Sequence, residues 1–272
     1  MSFSARAIRA LPAIVLLALV ALPASAQRRD RDSDRCSSWD GDRDMERVCN
    51  ITEATIQAPS GTLFIDGRVN GGVSVYGSSR RDVLVRAKIS AHARTRERAE
   101  AIAEQVRVHT DGGRIYAEGP DTQRREWWSV EYDVEVPARL DLDLRAHNGG
   151  IAVADVTGAL RMVTLNGGIH LESVNGDVVA ETTNGGLHVD LDGAGWVGKG
   201  LDAITTNGGV HLRVSTGYSA HLETGTVNGG VDIDFPVTVQ GKIGRRVTTD
   251  LGKGGPTIRV ITTNGGVDVR RN

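Results

Sequence analysis

Five side chains have types and spacing that could do chemistry together. His170, His188, His211, Asp232 and Asp268 each stand four residues after an Asn that opens an Asn-Gly-Gly tripeptide. If successive tripeptides stack, these side chains form one outward column, with neighbours about 4.8 Å apart. Two adjacent imidazoles then bind a zinc or copper ion, with a carboxylate extending the site. The candidate metal ligands are therefore His170, His188, His211 and Asp232. A polar column on a wet strand face is the simpler reading and is favoured, because a flat face rarely converges enough ligands to close a site. No cofactor is expected.

Other groupings carry less. A second outward column, Glu172, Asp190, Arg213, Asp234 and Arg270, has mixed sign and suits a solvated ladder of weak ion pairs. Asp190, Asp232 and Asp234 could serve a polysaccharide-cleaving enzyme, but such a pair needs a cleft that raises one pKa, and nothing predicts one. Gly193 to Gly198 matches Gly-x-Gly-x-x-Gly, with Lys199 following. Gly200 stands where a phosphate loop needs Ser or Thr, and a further repeat follows instead of a helix, so an inserted loop is the better account. Asp40, Asp42 and Asp44 begin a calcium-loop pattern that fails at Met45 and Ile51. No Ser-His-Asp grouping or nucleophile elbow is found. Catalytic residues are none.

The elements that would hold these residues are repeats. Asn-Gly-Gly begins at Asn148, Asn166, Asn184, Asn207, Asn228 and Asn264, with an earlier copy at Asn70 and an Asn-Gly-Asp variant at Asn175. The spacings are 18, 18, 23, 21 and 36 residues, and Asn175 bisects one interval. The last interval equals two of 18, which predicts a copy that lost its motif near 244–252. The five copies from Asn166 on read Thr, a variable residue, Asn-Gly-Gly, then alternating apolar and polar residues, as in TTNGGLHVD and TTNGGVHLR. Asn and Gly permit positive φ and so a sharp turn, and the alternation marks a half-buried strand.

Two architectures fit. Asn-Gly between alternating runs is a hairpin signal and would give an antiparallel meander. Alternatively, each repeat is one coil of a parallel solenoid, roughly 60 Å around for 18 residues. Repetition of the turn residues favours the solenoid, since equivalent positions then lie above one another. Stacked Asn side chains can also bond along the axis as an amide ladder. The structural turn residues are therefore Asn148, Asn166, Asn175, Asn184, Asn207, Asn228 and Asn264. Aromatic residues make up only 4% of the chain while Gly numbers 34, which suits a thin, repetitive core.

Along the chain, residues 1–26 read as a signal peptide: Arg6 and Arg9, an apolar run from Leu11 to Leu22, and Ala24-Ser25-Ala26 at the cut. Neither a lipid anchor nor a twin-arginine signal is indicated, and no second apolar run predicts a membrane span. Removing residues 1–26 leaves 30 basic against 34 acidic side chains, a balance that does not suggest a nucleic-acid partner. Residues 27–49 carry 13 charges in 23 positions and read as a mostly disordered arm. Cys36 and Cys49, in an exported chain, read as a disulfide. Residues 50–140 form an N-terminal β region with one helix over 95–105, and 141–272 the repeat solenoid. Within the former, Glu126 to Val136 alternates clearly, leaving Trp127 apolar on a polar face; a partly covered rim residue is the plainer reading and a stacking platform for a ligand the sharper one.

The stretch from Cys49 to Arg271 resembles the bacterial putative-adhesin family, an exported domain of unknown function. The matching pieces are DGRVNGGVSVYG, VLVRAKISAHA with its following helix, WWSVEYDVEVPARLDLDLRAHNGGIAVADVTGAL, and the repeats through TTNGGVDVRR. The resemblance implies an all-β, right-handed parallel β-solenoid in the cell envelope, adhesive by analogy and without established catalytic residues. The expected function is a non-catalytic envelope binding or structural module, in the periplasm or at the cell surface, whose partner is an envelope protein or glycan, with self-association at an uncapped end. The alternatives are a carbohydrate-active solenoid enzyme and a periplasmic metal-binding protein.

Overall fold

The computed structural model describes residue 36 and residues 44–234 and 245–272. The signal-peptide reading of 1–26 lies outside them, as does most of the expected arm. Ser38–Asn272 forms one compact unit. Its N-terminal part supplies β1 (Glu46–Gln57), β2 (Leu63–Asp66), β3 (Val73–Ser78), β4 (Asp82–Ala93), helix α1 (Arg96–Ala103), β5 (Arg107–His109), β6 (Arg114–Glu118) and β7 (Trp127–Pro137). The repeats supply β8 (Leu142–Ala146), β9 (Ile151–Ala154), β10 (Thr157–Asn166), β11 (Ile169–Glu172), β12 (Asn175–Asn184), β13 (Leu187–Leu191), β14 (Gly200–Asn207), β15 (Val210–Val214), β16 (Ala220–Asn228), β17 (Val231–Ile233), β18 (Arg246–Leu251), β19 (Thr257–Asn264) and β20 (Val267–Arg271). Among the described residues the fold is all-β with one short helix. β1 begins inside the segment expected to be a disordered arm, because Arg47, Cys49 and Ile51 belong to a strand paired along its whole length with β4.

The strands form two ten-stranded sheets. One runs β1-β4-β7-β3-β9-β11-β13-β15-β20-β17, the other β18-β16-β19-β14-β12-β10-β8-β2-β6-β5. Both sheets are continuous across residue 140, since β3 pairs with β9 and β2 with β8. Every Asn-Gly-Gly turn carries the chain from the second sheet to the first: β10 passes through Asn166 to β11, and β12 through Asn184 to β13. None of these turns closes a hairpin between neighbouring strands. The strands that follow successive turns pair in parallel with like residues opposed, Ile169 with Leu187 and Leu187 with Val210. Antiparallel pairing is confined, among the described residues, to β1–β4, β4–β7, β5–β6 and β16–β18.

Alternation along each strand fills the space between the sheets. In β11, Ile169 and Leu171 are buried and His170 is exposed; in β12, Val178 and Ala180 are buried. The resulting core is a file of Val, Ile and Leu, each worth about 1.5–3 kcal/mol when fully buried. α1 covers the outside of β4. Its narrow stripe of Ala99, Ile102 and Ala103 packs on Ala91 and Ala93, and Thr95 caps it by accepting from the Arg98 amide.

One sequence expectation fails at the last interval. No degenerate coil occupies 246–252; β18 runs antiparallel to β16 there. The chain then inserts β19 between β14 and β16, and β20 between β15 and β17. The Asn264 coil therefore lies between the Asn207 and Asn228 coils. Sequence spacing records contour length and is blind to this reversal.

Candidate functional site

The turns build a spine. Asn148 donates its amide Nδ2–H to Asn70 Oδ1 at 3.1 Å, Asn166 to Asn148 at 2.8 Å, and Asn184 to Asn166 at 2.8 Å. Asn207 donates to Asn184 at 2.9 Å, Asn264 to Asn207 at 2.8 Å, and Asn228 to Asn264 at 2.7 Å. Beside this ladder a second one is buried. From Asn166 onward, the Thr two residues before the Asn donates its hydroxyl to the first glycine carbonyl of the adjacent coil, Thr182 to Gly167 and Thr205 to Gly185, both at 2.7 Å. The Thr in the repeat is thus a buried hydrogen-bonding residue. Asn175 belongs to neither ladder. It sits at the opposite edge of the coil, paired with Thr157 at the start of β12, and its Oδ1 accepts from the Val197 amide.

The glycines are required for a reason other than the one the sequence suggested. Within the motif, Gly185 and Gly186 show no positive φ. A β-carbon at Gly185 would overlap the Gly167 carbonyl oxygen of the adjacent coil, whereas one at Gly186 would meet the Gly209 carbonyl at 3.3 Å. Close approach of stacked backbones sets the requirement.

On the outer face of the first sheet the candidate column reads Ala152, His170, His188, His211, Asp268, Asp232. Asp232 is therefore not beside His211, because the inserted β20 places Asp268 between them. The imidazoles stack face to face, His170 on His188 with centroids 6.0 Å apart and 12° between planes, His188 on His211 at 4.8 Å and 18°. Ring-nitrogen lone pairs lie in the ring planes, and planes this nearly parallel offer no common point for an ion. Among the described residues no group of three or more His, Cys, Asp or Glu is arranged to hold a metal. Burial, then the neighbouring His211 and His170, push the His188 pKa down against an opposing pull from Asp190, with Arg213 adding a small push in the same direction.

The aspartates of this face are already engaged. Arg270 grips Asp268 through Nε and a terminal nitrogen, both at 2.6 Å, and reaches Asp232 at 2.8 Å. The Asp268 carboxyl is held below the usual carboxylate range by that pairing. Asp234 accepts from the Arg271 amide at 3.1 Å. Asp190 lies three strands from Asp232, across β15 and β20, roughly 14 Å away at one strand spacing each. Asp190 and Asp232 therefore cannot straddle one glycosidic bond, which needs carboxyls about 5–9.5 Å apart. In the second column Glu172 stands opposite Asp190 in register, and Arg213 opposite both Asp190 and Arg270, with Arg213 3.9 Å from the Asp190 carboxylate.

A groove that sequence reasoning only touched opens where the Asn ladder begins. Trp127, Ser129 and Glu131 project from one face of β7 over the turns of Asn70 and Asn148, around a cavity of about 600 Å³. A second cavity of about 620 Å³ adjoins it, sharing Asn70, Trp127 and Ser129 and reaching Arg68, Glu118 and Asp121. Trp127 is 38% exposed, and its indole stacks on His92 with centroids 4.5 Å apart and 11° between planes. Trp128 turns the other way and donates Nε1–H to the Pro120 carbonyl at 3.0 Å. The available signals were the break in alternation at Trp127 and the Asn-Gly-Gly copy at Asn70, 57 residues earlier; nothing local to either announced that the two face one another. Cys36 and Cys49 are both disulfide-bonded. Among the described residues no helix is long and apolar enough to cross a membrane.

A family model described as Toastrack DUF4097 matches residues 31–270. Similar solved structures include a putative cell adhesion protein from Clostridium sporogenes ATCC 15579, at 9% identity over 83% of this chain and 100% of that one, with TM-score 0.41. A putative adhesin from Bacteroides fragilis NCTC 9343 is 8% identical over 82% and 97% of the two chains, TM-score 0.35. A putative adhesin from Parabacteroides merdae ATCC 43184 is 10% identical over 80% and 95%, TM-score 0.34. No curated protein matches the chain at a significant level.

Proposed function

Taking as premise that this chain belongs to the Toastrack DUF4097 family, a domain of unknown function, we propose that it is an exported, non-catalytic module of the cell envelope. We read the parallel-paired part of its two mixed sheets as a right-handed β-solenoid that presents a rigid face to an envelope protein or glycan. The observation that carries the reading is how the polar groups of that face are spent. His170, His188 and His211 stack on one another, and Arg270 ties Asp268 to Asp232. Groups paired along the axis stiffen a scaffold; groups serving catalysis would converge on one reacting atom with a free acid or base. The test is co-sedimentation of the chain, without residues 1–26, with purified peptidoglycan sacculi and with outer-membrane fractions, alongside an assay for new reducing ends. Saturable binding without sugar release is expected. Sugar release that Asp232→Asn or Asp234→Asn abolishes would establish the enzyme reading instead, and a stoichiometric transition metal in the purified protein the metal-binding one.

A further inference from the structure

The groove under Trp127 combines three features that nothing in the proposed scaffold role requires. The first is an aromatic platform. Trp127 is among the exposed large apolar side chains, and His92 covers one face of its indole, fixing the ring while the residue lines both adjoining cavities. Burial pushes the His92 pKa down, with Arg47 adding to the effect. The second is a set of directional polar groups at the platform's edge. Asn70 is the first rung of the amide ladder: its Oδ1 accepts from Asn148, and among the described residues its Nδ2 has no acceptor. Glu131 accepts from Lys88 Nζ at 3.0 Å through Oε2, and its side chain is 59% exposed. The third is size and shape. Each cavity falls within the roughly 300–1,000 Å³ of small-molecule sites, and the two share Asn70, Trp127 and Ser129 as walls, room for a ligand of more than one unit.

A flat platform with hydroxyl-sized donors and acceptors at its rim matches a pyranose, whose C–H face is apolar and whose edges are hydroxyls. The negative face of an indole attracts those polarised C–H groups. Charge narrows the class further. Glu131, Glu118 and Asp121 line the groove against Arg68 and the Lys88 that pairs with Glu131, a net negative balance that disfavours uronate or phosphate-bearing chains. Resting on the module reading above, we propose that this groove binds a neutral pyranose oligosaccharide, with Trp127 as stacking platform and Asn70 and Glu131 as its hydrogen-bonding edge.

The experiment titrates the whole chain lacking residues 1–26 with chitotetraose and cellotetraose, and with tetragalacturonate as the acidic comparison, by calorimetry and indole fluorescence. At least one neutral tetramer is expected to bind and to shift the indole emission. Trp127→Ala is expected to weaken that binding at least tenfold, and Trp127→Tyr to restore part of it; the second variant covers loss of folding in the first. Binding of either neutral tetramer that survives Trp127→Ala, preference for tetragalacturonate, or no binding by any tetramer each overturns the groove assignment. The module reading stands or falls separately on the sacculus and outer-membrane assays. If those bind the chain and its Trp127→Ala variant equally, the groove fails and the module stands.

Discussion

At the residue scale the molecule is governed by what can stand directly above what. Gly185→Ala forces a methyl group into the Gly167 carbonyl oxygen, and flanking coils on both sides resist any shift, so a loss of about 3 kcal/mol is expected. Gly186→Ala meets its neighbour at 3.3 Å and should cost about 1 kcal/mol or less. Urea melts of the two variants check the contrast, and equal losses would refute the close-approach account. Thr205→Val keeps the shape of a side chain that is fully buried but strands the Gly185 carbonyl it serves, a cost of about 1–3 kcal/mol. The His188 ring gives a pH prediction with a definite sign. Burial and its imidazole neighbours lower its pKa in the folded chain below the ordinary value. The unfolded chain therefore takes up this proton first as pH falls, and stability is full above about pH 6.5 and declines below it. His92 acts in the same direction. Melting temperatures from pH 8 to 5 should fall more steeply in the native chain than in His188→Asn, and parallel profiles would remove His188 from the account.

At the element scale the strand order is the point that sequence could not supply. Period-two alternation located β4, β7 and the strands flanking each turn, because burial of every second side chain is written into residue type. The repeated turn marked where the chain changes sheets. The buried partner of each Thr was not legible, since a hydroxyl at a solvent-looking turn gives no sign that a carbonyl from another coil will cover it. The place of β19 and β20 was not legible either, because a chain that doubles back through β18 leaves the same spacing as one that climbs steadily. Asp268 therefore came to rest between His211 and Asp232. Paired cysteines test this order in a background with Cys36 and Cys49 replaced. Directly opposed residues of neighbouring strands have α-carbons within the span a disulfide can bridge, whereas residues two strands apart, roughly 10 Å, do not. His211→Cys with Asp268→Cys should form a crosslink under mild oxidation, and His211→Cys with Asp232→Cys should not. The reverse pattern would return the coils to sequence order.

At the scale of the whole molecule, that insertion changes what the C-terminal segment is for. In a stack built in sequence order, the last coil is an end piece, and its loss costs one interface while the remainder stands. Here β19 pairs with both β14 and β16, and β20 with both β15 and β17. The Asn264 amide likewise bridges the ladder, donating to Asn207 and accepting from Asn228. Removing residues 257–272 therefore takes out an interior layer. It breaks two interfaces in each sheet, strips Ile258, Val260, Val267 and Val269 from the core, and leaves the Asn228 coil without a parallel neighbour. The truncated chain should lose protection across β16 and β17 together with β14 and β15, as read by backbone hydrogen exchange, while β10 to β12 keep theirs. Protection that persists at β16 and β17 would show that this coil stands without the inserted layer, and the stacking order would then have no energetic consequence.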